Sequence, residues 1–367
     1  MAAEKYNGRA GRRTAALYIG PVLALAAALL ASGYERAPIE WRVGEVPVAF
    51  WAWQSESPSE ADVRRAVVEA GARELFLRAG QIDFEGGRLM RIRAVKGRLP
   101  RSIQLHLVYN ATRSFLNEFE RISPEELATT VLALFDEDAA RAERDGARVA
   151  GLQLDIDVPT RLLARYAQTL RRVRESLPPG LQLAITGLPA WMESPELKRV
   201  LAEVDYWAPQ LYGARVPDRM NRLTPISSPE SVAAAIERAR RLGRPFYAGL
   251  SAYGYALHYS RDGSLLSLRG DLDPNLVAQD ANLEMVERRP FGAAGEWCYV
   301  FRARGDGVID GTVVREGEYL VLDMPSAGSL RECARAVRRR AGEKLLGICV
   351  FRVPSSGDPT TLSIEQI

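Results

Sequence analysis

Two aspartates one residue apart, Asp155 and Asp157, close the apolar run Gly151-Leu-Gln-Leu-Asp-Ile-Asp157. In an extended strand, alternate side chains share a face. Leu152, Leu154 and Ile156 then point one way, and Gln153, Asp155 and Asp157 the other. Carboxylates at this spacing stand about 7 Å apart and repel, so one of them holds its proton to higher pH. A carboxylic acid kept protonated near neutrality is what general-acid catalysis needs. The same pair could instead be bonded to Arg78 or to loop amides, with no chemistry. Parity alone leaves both readings open.

The ladder has to be held by regular elements. Short apolar or alternating runs fall at residues 46–53, 74–77, 103–109, 151–157, 181–186, 206–211, 245–251 and 345–351. Their length and flanking Gly, Pro and polar residues predict strands. Between them lie amphipathic stretches at 58–71, 123–145, 161–177 and 229–242, with start signals such as Ser123-Pro-Glu-Glu. Eight β units with helical crossovers predict a parallel sheet closed as a (β/α)₈ TIM barrel. No Gly-rich phosphate loop follows any strand, which weakens the alternative of a doubly wound open sheet. The seventh unit is interrupted. Residues 274–289 read as a helix, 296–322 as several strands and 329–343 as the helix before the last strand. A small β-rich insertion at about 256–325 is therefore expected within a barrel domain spanning 41–367.

Barrel active sites gather at the C-terminal strand ends. There the sequence places Trp51 and Trp53, Arg78, Asn110, Thr186 followed by Trp191, Gln210 and Tyr212, Ser251 and Tyr253, and Phe351. Aromatic rings around a polar cleft suit sugars, whose C–H faces stack on them, although such rings are more often packing. His106 falls mid-strand, as an interior hydrogen-bonded histidine would. His258 stands alone. Neither supports a metal site, and no metal or other cofactor is expected.

The composition, 47% hydrophobic and 26% charged, is that of a globular protein. A net charge of +3 with interspersed signs gives no stripe for nucleic acid. Cys298, Cys333 and Cys349 form no CxxC pair, and a Cys298–Cys333 disulfide is possible only in an oxidising compartment. Lys5, Arg9, Arg12 and Arg13 precede an uncharged run from Thr14 to Tyr34. That run is about 20 residues, enough to cross a bilayer. Residues 1–40 thus read as a signal peptide or uncleaved anchor plus linker. The charge bias predicts export of the remainder to a periplasmic or extracellular place, with membrane contact through this segment alone.

Several strings resemble the chitinase-like family 18 glycoside hydrolases. Ala150-Gly-Leu-Gln-Leu-Asp-Ile-Asp-Val-Pro159 fits, without a gap, their fourth-strand frame Asp-Gly-apolar-Asp-apolar-Asp-x-Glu. Val204-Asp-Tyr-Trp-Ala-Pro-Gln-Leu-Tyr-Gly213 resembles their sixth strand, which ends Met-x-Tyr-Asp. Gly249-Leu-Ser-Ala-Tyr-Gly254 resembles the seventh, and Gly347-Ile-Cys-Val-Phe351 the eighth, where a Trp floors the sugar site. Over about residues 45–355 the chain is also similar to a bacterial family labelled domain of unknown function 3142. The resemblance implies an exported glycosidase-like protein acting on an envelope or extracellular polysaccharide. Asp157 would be its general acid/base and Asp155 the partner. Gln153, Gln210, Tyr212 and the aromatic strand ends would contact sugar. Among the departures, Gln153 and Asp157 replace Asp and Glu, Gly213 replaces Asp, and Phe351 replaces Trp. They imply either an altered hydrolase or a catalytically inactive glycan binder. An envelope scaffold is the third reading.

Overall fold

The computed structural model describes residues 46–292, 295–354 and 358–367. In chain order the strands are β1 (Val48–Ala52), β2 (Ala72–Glu85), β3 (Arg88–Ala94), β4 (Gln104–Ala111), β5 (Arg148–Asp155), β6 (Gln182–Gly187), β7 (Tyr206–Pro209), β8 (Phe246–Ser251), β9 (Tyr255–Tyr259), β10 (Leu265–Arg269), β11 (Leu283–Pro290), β12 (Trp297–Ala303), β13 (Gly307–Ile309), β14 (Thr312–Val314), β15 (Tyr319–Met324) and β16 (Leu345–Phe351). The helices are α1 (Glu60–Glu69), α2 (Arg113–Glu118), α3 (Pro124–Asp145), α4 (Leu163–Ser176), α5 (Leu197–Ala202), α6 (Pro229–Arg241), α7 (Pro274–Gln279) and α8 (Ala327–Arg340).

Eight strands form the barrel in the order β1-β16-β8-β7-β6-β5-β4-β2, and the β1–β2 pairing closes it. All the joins are parallel. This is the TIM barrel that the alternation of strands and helices predicts. The start signals act as read. Ser123 Oγ accepts from Glu126 N at 3.0 Å, and Ser228 with Ser231 forms a capping box on α6. Helix α3 stops at Gly146, whose φ of 76° is the left-handed cap that glycine adopts at no steric cost.

Side-chain parity separates two cores. Leu152, Leu154 and Ile156 pack outward against the helix layer, together with Val131, Phe135, Tyr166 and Leu170. Ala49, Trp51, Phe76, Val108, Ala184, Tyr206, Tyr247 and Cys349 fill the barrel itself. At the barrel's N-terminal end His106 is fully buried, stacked on Phe76 at 4.7 Å between ring centres. Its Nδ1 meets Tyr206 Oη at 2.7 Å and its Nε2 lies 3.3 Å from Glu74. Tyr247 Oη donates to the same carboxylate at 2.6 Å. This histidine sits in the interior, away from the strand ends.

Two stretches differ from the sequence reading. Strand β2 runs on to Glu85 and turns back as β3, which pairs with it antiparallel. Residues 274–289 are not one helix. Helix α7 stops at Gln279, Asp280 accepts from Asn282 N at 2.8 Å in a turn, and Leu283–Pro290 forms β11. Glu, Met and Arg favour helix in isolation, but pairing along the length of β12 overrides that weak preference. Strands β10-β9-β15-β12-β11 form an antiparallel sheet after β8, with β13 and β14 as a separate hairpin. The three cysteines are buried free thiols, so Cys298 and Cys333 are not bonded to each other. No described helix is long and apolar enough to cross a membrane, and the run 14–34 lies outside the described residues.

Where this sheet meets α8, two acids are buried. Glu296 accepts from Ser329 Oγ, and Asp323 accepts from Ile226 N at 2.7 Å. Burial, and then a neighbouring carboxylate, pushes each up to about 7. Their unfolded values lie near 4. A pKa raised in the folded state favours folding below the unfolded value, and this stabilisation is lost as pH rises through the folded one. The melting temperature is therefore expected to fall by several degrees between about pH 5 and pH 8. Glu296→Gln with Asp323→Asn should flatten that slope. An unchanged slope in scanning calorimetry would refute the assignment.

Candidate active site

Strand β5 ends at Asp155, two residues short of the predicted end, and Ile156-Asp157-Val158 continues as coil. The alternation nevertheless persists. Ile156 and Val158 are buried in the outer core, while Asp157 is open to solvent at the C-terminal mouth. Gly151 lets this strand sit close to β6, since a Cβ there would lie 2.3 Å from the Gln182 carbonyl oxygen.

Asp155 is held in place. Thr186 Oγ1, at the end of β6, donates to its Oδ1 at 2.6 Å. Burial is the larger cause that raises its pKa, partly offset by that hydrogen bond and by the Arg78 charge. Asp157 has no hydrogen bond or ion pair among the described residues, and in particular none to Arg78. Protein surrounds it on most sides although water reaches its carboxyl. That crowding, and then the Asp155 carboxylate, pushes its pKa further up than its partner's. One acid is oriented and the other is free and proton-holding.

The C-terminal mouth of the barrel brings most of the predicted residues together. Asn110 stands beside Asp155 in the β4–β5 register with its side-chain oxygen unpartnered. Gln153, one step deeper, is fully buried with both amide atoms unpartnered. Unpaired buried polar atoms are costly, and an ordered water or a bound group satisfies them. Opposite them is an aromatic corner. Phe351 lies 5.1 Å from Trp51, 5.9 Å from Trp53, 5.1 Å from Tyr253 and 6.1 Å from Tyr212. Trp51 keeps an unpartnered indole N–H. Gln210 is half-buried just past β7, its backbone N–H bonded to Gly187 O. Arg78 is buried at the mouth with its guanidinium 4.8 Å above the Trp53 ring.

Two assignments need correction. Trp191 is not a sugar platform. It is 1% exposed in the outer layer, 6.1 Å from Tyr166, and its indole N–H donates to Val158 O at 3.1 Å. It supports the backbone that carries Asp157. Ser251 does not face a ligand either: its hydroxyl donates to Tyr253 O at 2.8 Å and so shapes the turn after β8. Sequence reasoning missed the Thr186 bond and also Tyr166, a buried phenol with no hydrogen-bond partner whose pKa both aspartates raise after burial does. Tyr166 falls on an amphipathic helix, where an aromatic reads as ordinary core.

Gly213 explains one departure from the chitinase pattern. Its φ is +64°, and a Cβ there would lie 2.5 Å from Tyr255 Oη. Restoring the carboxylate by Gly213→Asp should therefore destabilise the protein by about 1–3 kcal/mol. Urea unfolding checks this, and a neutral result would mean that the turn relaxes.

Residues 113–277 match the model of a family described as Domain of unknown function (DUF3142). The matched segment runs from α2 into α7 and so contains Asp155, Asp157, Thr186, Tyr212 and Tyr253. No curated protein matches the chain. Among solved structures it is similar to a chitinase from Chromobacterium violaceum, with 14% identity and a TM-score of 0.56 over 88% of this chain and 96% of that one. A spore cortex-lytic enzyme from Bacillus megaterium gives 12%, 0.53, 88% and 72%. A family 18 N-acetylglucosaminidase from Paenibacillus barengoltzii gives 12%, 0.52, 88% and 100%. At these identities the likeness of this chain to them is one of fold.

Proposed function

We propose that the protein is an exported glycoside-hydrolase-like enzyme that acts on an envelope or extracellular polysaccharide. Asp157 is the general acid/base and Asp155 its partner. The observation that carries this reading is the pair itself: a solvent-open acid with no hydrogen bond among the described residues, next to a buried carboxyl fixed by Thr186. A protonated acid can deliver a proton to a glycosidic oxygen, and an oriented neighbour can stabilise the positive charge that develops at the sugar. Gln153, Asn110 and the Trp51 indole supply polar contacts that lack protein partners. Trp53, Tyr212, Tyr253 and Phe351 supply faces for sugar C–H groups, and Gln210 borders them. Export rests on the basic residues before the uncharged run 14–34.

The shorter reach of Asp157 compared with the Glu of chitinases favours a second reading, a glycan binder without turnover. A panel of polysaccharides with product analysis separates them. Hydrolysis by the wild type that disappears in Asp157→Asn supports the enzyme. Equal binding by both proteins with no product supports the binder. Failure to bind any glycan refutes both.

A further inference from the structure

We propose that the cleft takes an acidic sugar whose carboxylate is paired by Arg78; this rests on the glycan reading above and names its substrate class. Arg78 is 5% exposed, yet among the described residues it makes no ion pair. Its one hydrogen bond there is a 3.4 Å contact to Ser55 Oγ, at the limit of such bonds. A buried guanidinium without a counter-ion is strongly disfavoured, and structures retain one where something supplies the missing charge. Among the described residues nothing supplies it at ion-pair distance. Asp155 turns an oxygen to Thr186 and stays outside ion-pair distance of Arg78. Arg93, on β3, adds a second positive charge nearby.

The position fits a ligand rather than a packing role. Arg78 points into the mouth at a bulge, where the β2–β4 register slips across Ala79. Bulges re-aim side chains at barrel rims. The guanidinium carbon lies 4.8 Å from the centre of the Trp53 ring, a cation–π contact that helps hold it in place. An edge-on guanidinium recognises a carboxylate through two parallel N–H···O bonds. Gln153 and Asn110 nearby offer unpartnered atoms for neutral hydroxyls or amides. Arg78, reinforced by the charge of Arg93 and flanked by neutral polar groups and rings, matches a sugar carrying a carboxylate.

Two sources of that carboxylate are distinguishable, a hexuronic acid and the lactyl ether of muramic acid. The test is isothermal titration of the full chain with two ligands and their carboxyl-reduced forms. One ligand is an alternating N-acetylglucosamine–glucuronate octasaccharide. The other is an N-acetylglucosamine–N-acetylmuramate tetrasaccharide. At least one acidic ligand should bind about tenfold or more tightly than its reduced form, and which one does so identifies the source. Arg78→Gln should bring that ratio close to one, and Arg78→Lys should restore part of it. Equal affinity for acidic and reduced ligands overturns the proposal, as does an Arg78→Gln variant that keeps the wild-type ratio. If only neutral N-acetylglucosamine oligomers bind, the acidic inference fails and the glycan reading survives. If no sugar binds, both fail.

Discussion

Asp157→Asn is expected to lower the turnover of any cleaved glycan by about 10²–10⁴-fold, the usual contribution of a general acid. The amide keeps the shape of the side chain but has no acidic proton to give, so affinity should change little. The pH profile carries the sign. Asp157 has a pKa above the usual carboxylate range because protein crowds it and Asp155 repels its charge. A step that uses its proton is fully active below that pKa and lost as pH rises through it. The alkaline limb should therefore lie well above pH 4, the region of an ordinary carboxylate. Asp155→Asn removes the repelling charge, so the limb should move to lower pH while overall turnover falls. Because the two acids interact, the limb belongs to the pair. A profile whose alkaline limb stays put in Asp155→Asn would remove the pair from the mechanism, and full activity in Asp157→Asn would remove the acid.

Trp191→Ala should be the most damaging substitution to stability outside the cleft, at about 3–5 kcal/mol in chemical denaturation. The indole is buried beside Tyr166, and its loss leaves a void and an unbonded Val158 carbonyl. Trp191→Phe keeps much of the volume and loses only the hydrogen bond, so its cost should be clearly smaller. The two variants also report on function. Val158 is the residue after Asp157, so slack in its backbone lets the acid drift. A misplacement of about 1 Å can reduce turnover on the order of a hundredfold. If Trp191→Ala unfolds like the wild type, the support assigned to this residue is wrong.

The sequence by itself determined the barrel. Eight short apolar strands and their crossovers are set by local periodicity and by cap residues such as Ser123, Ser228 and Gly146, which act within a few residues of themselves. It also determined the inward ladder Gln153, Asp155 and Asp157, because parity along one strand needs no knowledge of the rest. What parity could not reach was decided in three dimensions. Whether a strand-end side chain lines the mouth or backs it depends on the loop after it, which is why Trp191 lies behind Asp157 while Trp53 and Phe351 meet at the rim, on neighbouring strands. Leu283–Pro290 became a strand because β12 offered it hydrogen bonds that no local pattern announces. The difference between the two aspartates is tertiary as well. Sequence makes them equivalent neighbours; the Thr186 hydroxyl fixes Asp155, and the lack of any such partner among the described residues leaves Asp157 free at the mouth. Long-range contacts set burial and hydrogen bonding, and these in turn decide which of two like acids keeps its proton.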